Sequence, residues 1–421
     1  MDVDEAFNKF STVLSENEIK KLARKYGVED ERERKLLVVP FFWLMLLSAI
    51  KSGTRGRLSN MVSFFTATSY LIYPQMPITG LSRMAISKKL SDTNWMFYRG
   101  VYNKLLEHYI DLLDLNDIKF LSRFKDCFAV DGSIIRLNKT LENIFKSTCK
   151  SQAALKLNVK FSIVNLVATK LQVTEGKRHD NKFRFITKDP NILYLFDLGY
   201  WSFKNFKKIV DAKSFFVSRL KKSCDPLIVT VTDQRWSHLV GKRLSQINGA
   251  LKGMVELDMA VQLSKSEKSP LKNDLRLVGI LYEGEWRFYV TNIFDGRFTP
   301  CVIYELYSKR WTIEIFFNDI KHVLKLEHIF SKNKNGIMVE IYSALIFYLL
   351  VRIIIAIAAK KSGKKITDFS FKKSAENLNA FFVTQLTKLF RGTKSKLIEF
   401  FRKVVDATIC ICLKPPPRAT A

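Results

Sequence analysis

The segment Cys301–Ile329, CVIYELYSKRWTIEIFFNDIKHVLKLEHI, constrains the fold more than any other stretch. Nothing in it breaks a helix, and Thr299-Pro300 makes a good entry because proline suits the first helical turn. It predicts one long helix. Ile303, Leu306, Trp311, Ile313, Phe316, Phe317, Ile320, Val323 and Leu324 make most of its surface apolar. One stripe is polar. At 100° per residue, Tyr307, Arg310, Glu314 and Lys321 fall within about 60° of one another. A hydroxyl, a guanidinium, a carboxylate and an ammonium therefore line one side of a greasy helix. Taken alone, the stripe also fits the wet face of an amphipathic helix, with Arg310 and Glu314 paired at i, i+4.

Charge narrows the partners. The 421 residues are enough for two or three domains, and 69 Lys+Arg against 40 Asp+Glu give a net charge of +29. Such a field attracts polyanions, nucleic acid first and an anionic membrane surface second. The basic residues are spread through the chain rather than gathered on one amphipathic helix, which disfavours the membrane surface. The six cysteines, at 127, 149, 224, 301, 410 and 412, form no CxxC pair, so reduced thiols fit better than a disulfide framework or a zinc ribbon. The five histidines form no HxH or HExxH, which excludes the common zinc hydrolase motifs. The acidic, polar start MDVDEAFNKF is not a signal peptide. Leu36–Ile50, with Pro40, and Ala344–Ala359, with Arg352, fall short of the ~20 apolar residues of a membrane span and read as buried helices.

Residues 1–120 read as helical. Ser15-Glu-Asn-Glu resembles a cap for a helix over Glu16–Tyr26, which Gly27 ends. Further helices are expected over Arg32–Lys51, Leu58–Tyr70, Leu81–Leu90 and from Ser91-Asp92 to Ile110, with a break at Ser52–Arg57. The piece GLSRMAISKKLSD has the small, basic look of a helix-turn-helix, and a plain solvated basic helix fits it as well. From Phe124 the pattern changes to strands: Cys127–Val130, Ile134–Leu137, Leu155–Val167, Thr169–Thr174, Ile192–Phe196 and Ser214–Leu220. A short helical turn is expected at Phe183–Thr187 and a helix from Ser202 to Val210. Residues 221–299 break this α/β rhythm with Leu227–Thr232, Met254–Leu263, Leu275–Leu281 and Trp286–Ile293, and read as a β-rich insertion. An apolar helix over Ile337–Lys360 follows the long one. Residues 360–403 then carry 12 Lys/Arg against 3 Asp/Glu, and Lys414-Pro-Pro-Pro-Arg reads as a frayed tail.

Three carboxylates stand out in this layout. Asp131 follows a strand, Asp197 ends a buried strand, and Glu314 lies on the helix far downstream. Acids at strand ends in an α/β core point into the crevice where ligands bind. Three carboxylates without His or Cys suit hard cations, Mg²⁺ or Mn²⁺. Two such ions ~3.5–4 Å apart can activate a water and stabilise a leaving oxygen at a phosphodiester. Each acid also has a plainer reading: Asp131-Gly132 as a hairpin turn, Asp197 as a loop acid capping the next helix, and Glu314 as a solvated side chain.

Together the motifs resemble a known pattern. Tyr307-x2-Arg310-x3-Glu314-x6-Lys321 is similar to the signature of the insertion sequence 4 family of DDE transposases. Asp131-Gly-Ser resembles that family's first acidic motif and Asp197-x-Gly-Tyr its second, and the β-rich insertion before the Glu helix fits too. The resemblance covers roughly residues 120–360. It implies an α/β fold with a ribonuclease-H-like catalytic core and a β-rich insertion, flanked by helical N- and C-terminal regions. The implied divisions are 1–120 (helical, DNA-binding), 121–220 (core, first part), 221–299 (insertion), 300–360 (core, second part with the Glu helix) and 361–421 (basic helices and tail). Asp131, Asp197 and Glu314 would be the catalytic acids, holding two Mg²⁺ (or Mn²⁺) ions, and Tyr307, Arg310 and Lys321 would contact DNA phosphates. Trp286 is similar in placement to the insertion tryptophan of hairpin-forming relatives and would bind a flipped base. A core role in the insertion remains its alternative, with Phe288 and Val290 on the same strand face. The implied activity is cut-and-paste transposition of an insertion sequence in the prokaryotic cytoplasm, at the nucleoid. The implied partners are terminal inverted repeats and target DNA, bound by a homodimer in a synaptic complex, with no membrane. Two alternatives remain: a metal-dependent nuclease or resolvase on the same fold, and a non-catalytic DNA-binding descendant of a transposase.

Overall fold

Ile192-Leu-Tyr-Leu-Phe196 is apolar at every position and forms a strand buried at every position, as strands covered on both faces do. It lies near the middle of one large sheet. The computed structural model describes residues 1–29, 36–48, 59, 61–63, 65–66, 82–113, 121–149, 151–247, 249, 251–263, 274–385 and 393–415. The expected helix over Leu58–Tyr70 falls largely outside these residues, as do the Ser52–Arg57 break and the end of the tail. The chain divides into two compact units, one of residues 115–134 and 155–316, the other of residues 1–114, 135–154 and 317–421.

The first unit holds the sheet. Its strands are β1 (Asp126–Leu137), β2 (Ala153–Ser162), β3 (Val167–Glu175), β4 (Ile192–Phe196), β5 (Phe215–Arg219), β6 (Leu227–Val231), β7 (Glu256–Gln262), β8 (Leu275–Tyr282) and β9 (Glu285–Thr291). The order across the sheet is β3-β2-β1-β4-β5-β9-β8-β7-β6. β1, β4 and β5 run parallel, and β2 and β3 form an antiparallel hairpin. This five-strand part, in the order 3-2-1-4-5, is the expected ribonuclease-H-like arrangement. The region 221–299 is as β-rich as expected, but it is no separate sheet. β6 to β9 form an antiparallel meander whose last strand pairs with β5 and extends the core sheet.

Two further expectations change. Asp131-Gly132-Ser133 makes no turn, because β1 runs through it from Asp126 to Leu137. Phe183–Thr187 is not helical; the only helical turn there is the short one at Asp180–Lys182 just before it.

Strand alternation separates the two faces of the sheet. Val130, Phe196, Phe216, Phe288 and Val290 point to one face, where helix Phe203–Asp211 packs through Phe206 and Ile209. The rings of Phe206 and Phe216 stack there with centroids 4.4 Å apart. The other face of the strands takes the segment that follows Pro300: Tyr289 on β9 meets Tyr307 at 5.0 Å, and Phe161 on β2 meets Phe316 at 4.9 Å.

The second unit is helical. Its described helices include Val3–Leu14, Glu16–Lys25, Val38–Leu47, Arg83–Asp92, Met96–Leu112, Phe371–Thr384 and Lys394–Ile411. Ser15 caps the second of these as expected, and Gly27, at φ +65°, lets the chain turn out of it. Ser91 and Asp92 belong to the last turn of their helix, and the next begins at Met96. Helices from both ends of the sequence share this unit: Arg402 pairs with Asp4 at 3.0 Å.

Helix Lys334–Ser362 is the centre of the helical unit. It is long and apolar enough to cross a bilayer, yet its whole apolar stretch is buried among its neighbours. Its buried charges have partners, as burial demands. The Glu340 carboxylate accepts the N–H groups of Phe330 and Ser331 at 3.2 and 2.9 Å. Arg352 donates to the Tyr348 hydroxyl at 2.9 Å and lies 3.6 Å from Asp319. Burial raises the Asp319 carboxyl to about 6, against the pull of Arg352.

Candidate active site

The register of the parallel strands builds the site. Val130 pairs with Phe196, and Phe196 with Ser218. The next residue on each strand is Asp131, Asp197 and Arg219. The three therefore form a row across the sheet, midway along β1, which runs on to Leu137, and at the C-terminal ends of β4 and β5, where ligands collect in open α/β sheets. By alternation they point away from Val130 and Phe196, to the face that carries Tyr289. Arg219 pairs with Tyr289 in register, and Tyr289 touches Tyr307.

The segment after Pro300 lies over that row. It is one helical path with two irregular turns, not the uniform helix its sequence suggests. Pro300–Ser308 is α-helical, Lys309–Trp311 tightens to 3₁₀, Thr312–Asn318 is α-helical, and Asp319–Val323 widens to a π-turn closed by Leu324 N–H on the Asp319 carbonyl at 2.9 Å. The Thr299 hydroxyl accepts Val302 N–H, and Pro300 fills the first turn as expected. Tyr307, Arg310 and Glu314 share the face turned to the acids. Trp311, which the sequence counts among the apolar residues of the helix, is 60% exposed beside Arg310.

Arg310 ties the acids together. It donates to Glu314 Oε1 at 2.7 Å and approaches Asp131 Oδ2 at 3.9 Å, with its own side chain only 13% exposed. Burial raises the Asp131 carboxyl to about 6; Asp197 and Glu314 add to the rise, and the Gly132 N–H and Arg310 oppose it. The Gly132 N–H reaches Asp131 Oδ1 at 2.7 Å. Burial also raises the Tyr307 phenol, to about 12. Among the described residues, two buried polar atoms beside the acids, Tyr307 OH and Arg310 Nε, have no hydrogen-bond partner. Orphaned donors of this kind call for an acceptor from outside the chain.

The donor chemistry fits a hard divalent cation: carboxylates and no thiol or imidazole. As the side chains stand, no three such donors among the described residues are close enough to hold an ion, and Glu314 is turned to Arg310.

The sequence-predicted residues divide accordingly. Asp131, Asp197, Glu314, Arg310 and Tyr307 converge in the sheet unit. Lys321 falls in the helical unit, half-buried on the π-turn, with its ammonium pKa lowered by burial. Trp286 does not join the cluster. Alternation puts it on the face of β9 opposite Tyr289, where it stacks on Phe288 with centroids 5.7 Å apart. The paired strand leaves room there, since a side-chain carbon on Gly279 would meet Phe288 at 2.9 Å. Sequence reasoning missed Arg219, whose place in the row depends on the strand register alone.

Comparison with known proteins shows the family. A family model described as "Transposase DDE domain" matches residues 122–350, more than half of the chain. The chain is 24% identical over 319 residues to the transposase for insertion sequence element IS231F of Bacillus thuringiensis subsp. israelensis, covering 64% of each chain. It is 29% identical over 185 residues to the putative transposase y4zB of Sinorhizobium fredii, covering 44% of this chain and 48% of that one. These two matches span less than two thirds of the relatives' own lengths. Against the probable transposase for insertion sequence element IS5377 of Geobacillus stearothermophilus it is 22% identical over 399 residues, covering 93% of this chain and 95% of that one. With the domain match centred on the sheet and the segment after Pro300, the chain belongs to the DDE transposases, in the insertion sequence 4 family.

Proposed function

We propose that the chain catalyses cut-and-paste DNA transposition at Asp131, Asp197 and Glu314. One observation carries the reading. Two acids stand side by side on neighbouring parallel strands, a third faces them from the overlying helix, and two buried donors without a partner among the described residues, Tyr307 OH and Arg310 Nε, lie beside them. A phosphodiester supplies what that arrangement lacks. Its oxygens are acceptors for Tyr307 and Arg310, and its phosphorus is the electrophile.

Members of the family generally use divalent metal ions. Asp131, Asp197 and Glu314 would hold two Mg²⁺ or Mn²⁺ ions here, which when bound would activate the attacking oxygen and neutralise charge on the leaving one. The remaining work falls to the chain itself. Arg310 orients a phosphate through its planar fork, and in doing so exchanges the Glu314 carboxylate for phosphate oxygens. Tyr307 donates its hydroxyl to the same group. The phenol keeps its proton at neutral pH and so can donate it. Arg219 and Lys321 add positive charge for the flanking backbone, and the exposed ring of Trp311 offers a stacking surface next to Arg310. In the first step a water oxygen attacks phosphorus and the 3′ oxygen leaves as a free hydroxyl. In the second, that 3′-OH attacks a target phosphodiester and displaces the 3′ oxygen of the target strand.

The DNA would be the element's terminal inverted repeats and a target duplex, held by two copies of the chain. The test is a sequencing gel of labelled DNA carrying the element's own ends, incubated with the protein and Mg²⁺. Nicks at the 3′ ends together with joined products support transposition. Nicks without joined products support a nuclease, and the absence of both removes the proposal.

A further inference from the structure

The two acids on the parallel strands are each followed at close range by a glycine, Asp131-Gly132 and Asp197-Leu-Gly199. Neither glycine has a positive φ, so backbone conformation does not demand it. What surrounds them leaves little room for a side chain. A side-chain carbon on Gly132 would lie 3.2 Å from Asp180 Oδ1, and one on Gly199 would lie 3.1 Å from Asp180 Oδ2. One carboxylate thus occupies a slot that both glycines leave open, with one oxygen toward each glycine.

Asp180 is fixed from the other side. It comes from the short helical turn Asp180–Lys182 beyond β3. Its Oδ1 accepts from Lys156 Nζ at 2.9 Å, and the same ammonium donates to the Arg178 carbonyl at 2.8 Å. The Lys156 side chain is only 13% exposed and that of Asp180 30%, so the ammonium end of the pair is largely out of solvent. Two further polar atoms reach Gly132: Asn158 Oδ1 would stand 3.0 Å and Tyr200 OH 3.3 Å from a side-chain carbon there. A single acid therefore braces the backbone behind both catalytic aspartates.

Resting on the proposed function above, we propose that Asp180 is a positioning residue: wedged between Gly132 and Gly199 and anchored by Lys156, it sets the relative placement of Asp131 and Asp197. It is no member of the reacting set. It acts through the main chain of the two strands. Outer groups that orient metal-binding carboxylates are worth 10- to 100-fold in metal affinity or activity when removed. The slot also predicts a specific coupling. Adding a methyl at residue 199 should matter only while Asp180 fills the space.

The test is a double-mutant cycle on the full chain, with Mn²⁺ affinity read by electron paramagnetic resonance and Mg²⁺-dependent nicking read in parallel. Asp180→Ala should weaken Mn²⁺ binding roughly tenfold or more and slow nicking alike. Affinity for DNA ends should be unchanged. Gly199→Ala should give a smaller loss of the same kind. The double variant should be no worse than Asp180→Ala alone, since the clash has gone. Asp180→Asn keeps the volume of the wedge but gives up the ion pair with Lys156. It should fold even if the alanine variant does not, and show an intermediate loss. Wild-type Mn²⁺ affinity in Asp180→Ala or Asp180→Asn overturns the proposal, and so do losses that add in the double variant. Wild-type protein that binds Mn²⁺ but does not cut DNA refutes the transposase reading alone. Wild-type protein that binds no Mn²⁺ refutes both.

Discussion

Asp131 should be a source of instability in the metal-free protein. Its carboxyl stands at about 6, against an ordinary value of 3.8, with burial as the main cause. The sign follows from linkage. An acid with a raised folded-state pKa binds its proton more tightly when folded, so stability falls as pH rises from the unfolded value through the folded one. Below about pH 4 the group is protonated in both states and has no effect. Above about pH 6 it is ionised in both, and the folded state carries the whole penalty. The rise from 3.8 to about 6 corresponds to about 3 kcal/mol. The side chain is 27% exposed, so little of this is lost to solvent screening. Asp131→Asn removes the penalty and keeps an acceptor for the Gly132 N–H. The variant should therefore protect the β1 and β4 amides from hydrogen exchange by about 2–3 kcal/mol more than wild type at pH 8 in EDTA, with the difference fading towards pH 4. Mg²⁺ should then stabilise wild type and not the variant. Equal protection at pH 8, or weaker protection in the variant, would show that burial does not destabilise the ionised Asp131 carboxylate.

Three other outcomes are expected. Trp286→Ala removes a ring packed on Phe288 away from the acids, so nicking and hairpin formation should fall together in a gel assay; loss of hairpins alone would restore a base-binding role. A net charge of +29 should make DNA affinity fall with salt at about −0.9 in log–log slope per phosphate contacted, measured by fluorescence anisotropy; a flat line would remove nucleic acid as the partner. Glu340→Ala strands the Phe330 and Ser331 N–H groups in the helical unit and should cost about 2–4 kcal/mol in urea unfolding; a neutral result would mean that water replaces the carboxylate.

The sequence was most informative where chemistry and periodicity coincide. The apolar run Ile192–Phe196 marks a buried strand, and Asp197 is its first polar residue. The helical stripe placed Tyr307, Arg310 and Glu314 on one side, and the structure keeps them there despite the 3₁₀ turn between them. What the sequence hid depends on pairing between distant segments. Asp131-Gly132 has the composition of a turn, and only its neighbours in the sheet show that β1 continues through it. The β5–β9 pairing joins residues about 70 positions apart, and no periodicity within either strand announces it. Trp286 has the right spacing from Glu314 along the chain, but which face of β9 it takes depends on register. Asp180 shows the same limit. Its partners Gly132, Gly199 and Lys156 come from three other segments, and the only local trace is a glycine after each acid.

The central claim is that Asp131, Asp197 and Glu314 act as one metal-dependent unit on DNA. The most direct measurement is Mg²⁺-dependent cleavage of end-labelled DNA by wild type and by Asp131→Asn, Asp197→Asn and Glu314→Gln, with DNA binding checked in parallel. The account predicts cleavage by wild type only, with all four proteins folded and bound to DNA. Substantial Mg²⁺-dependent cleavage by any one of the three variants would remove that residue from the site and contradict the account.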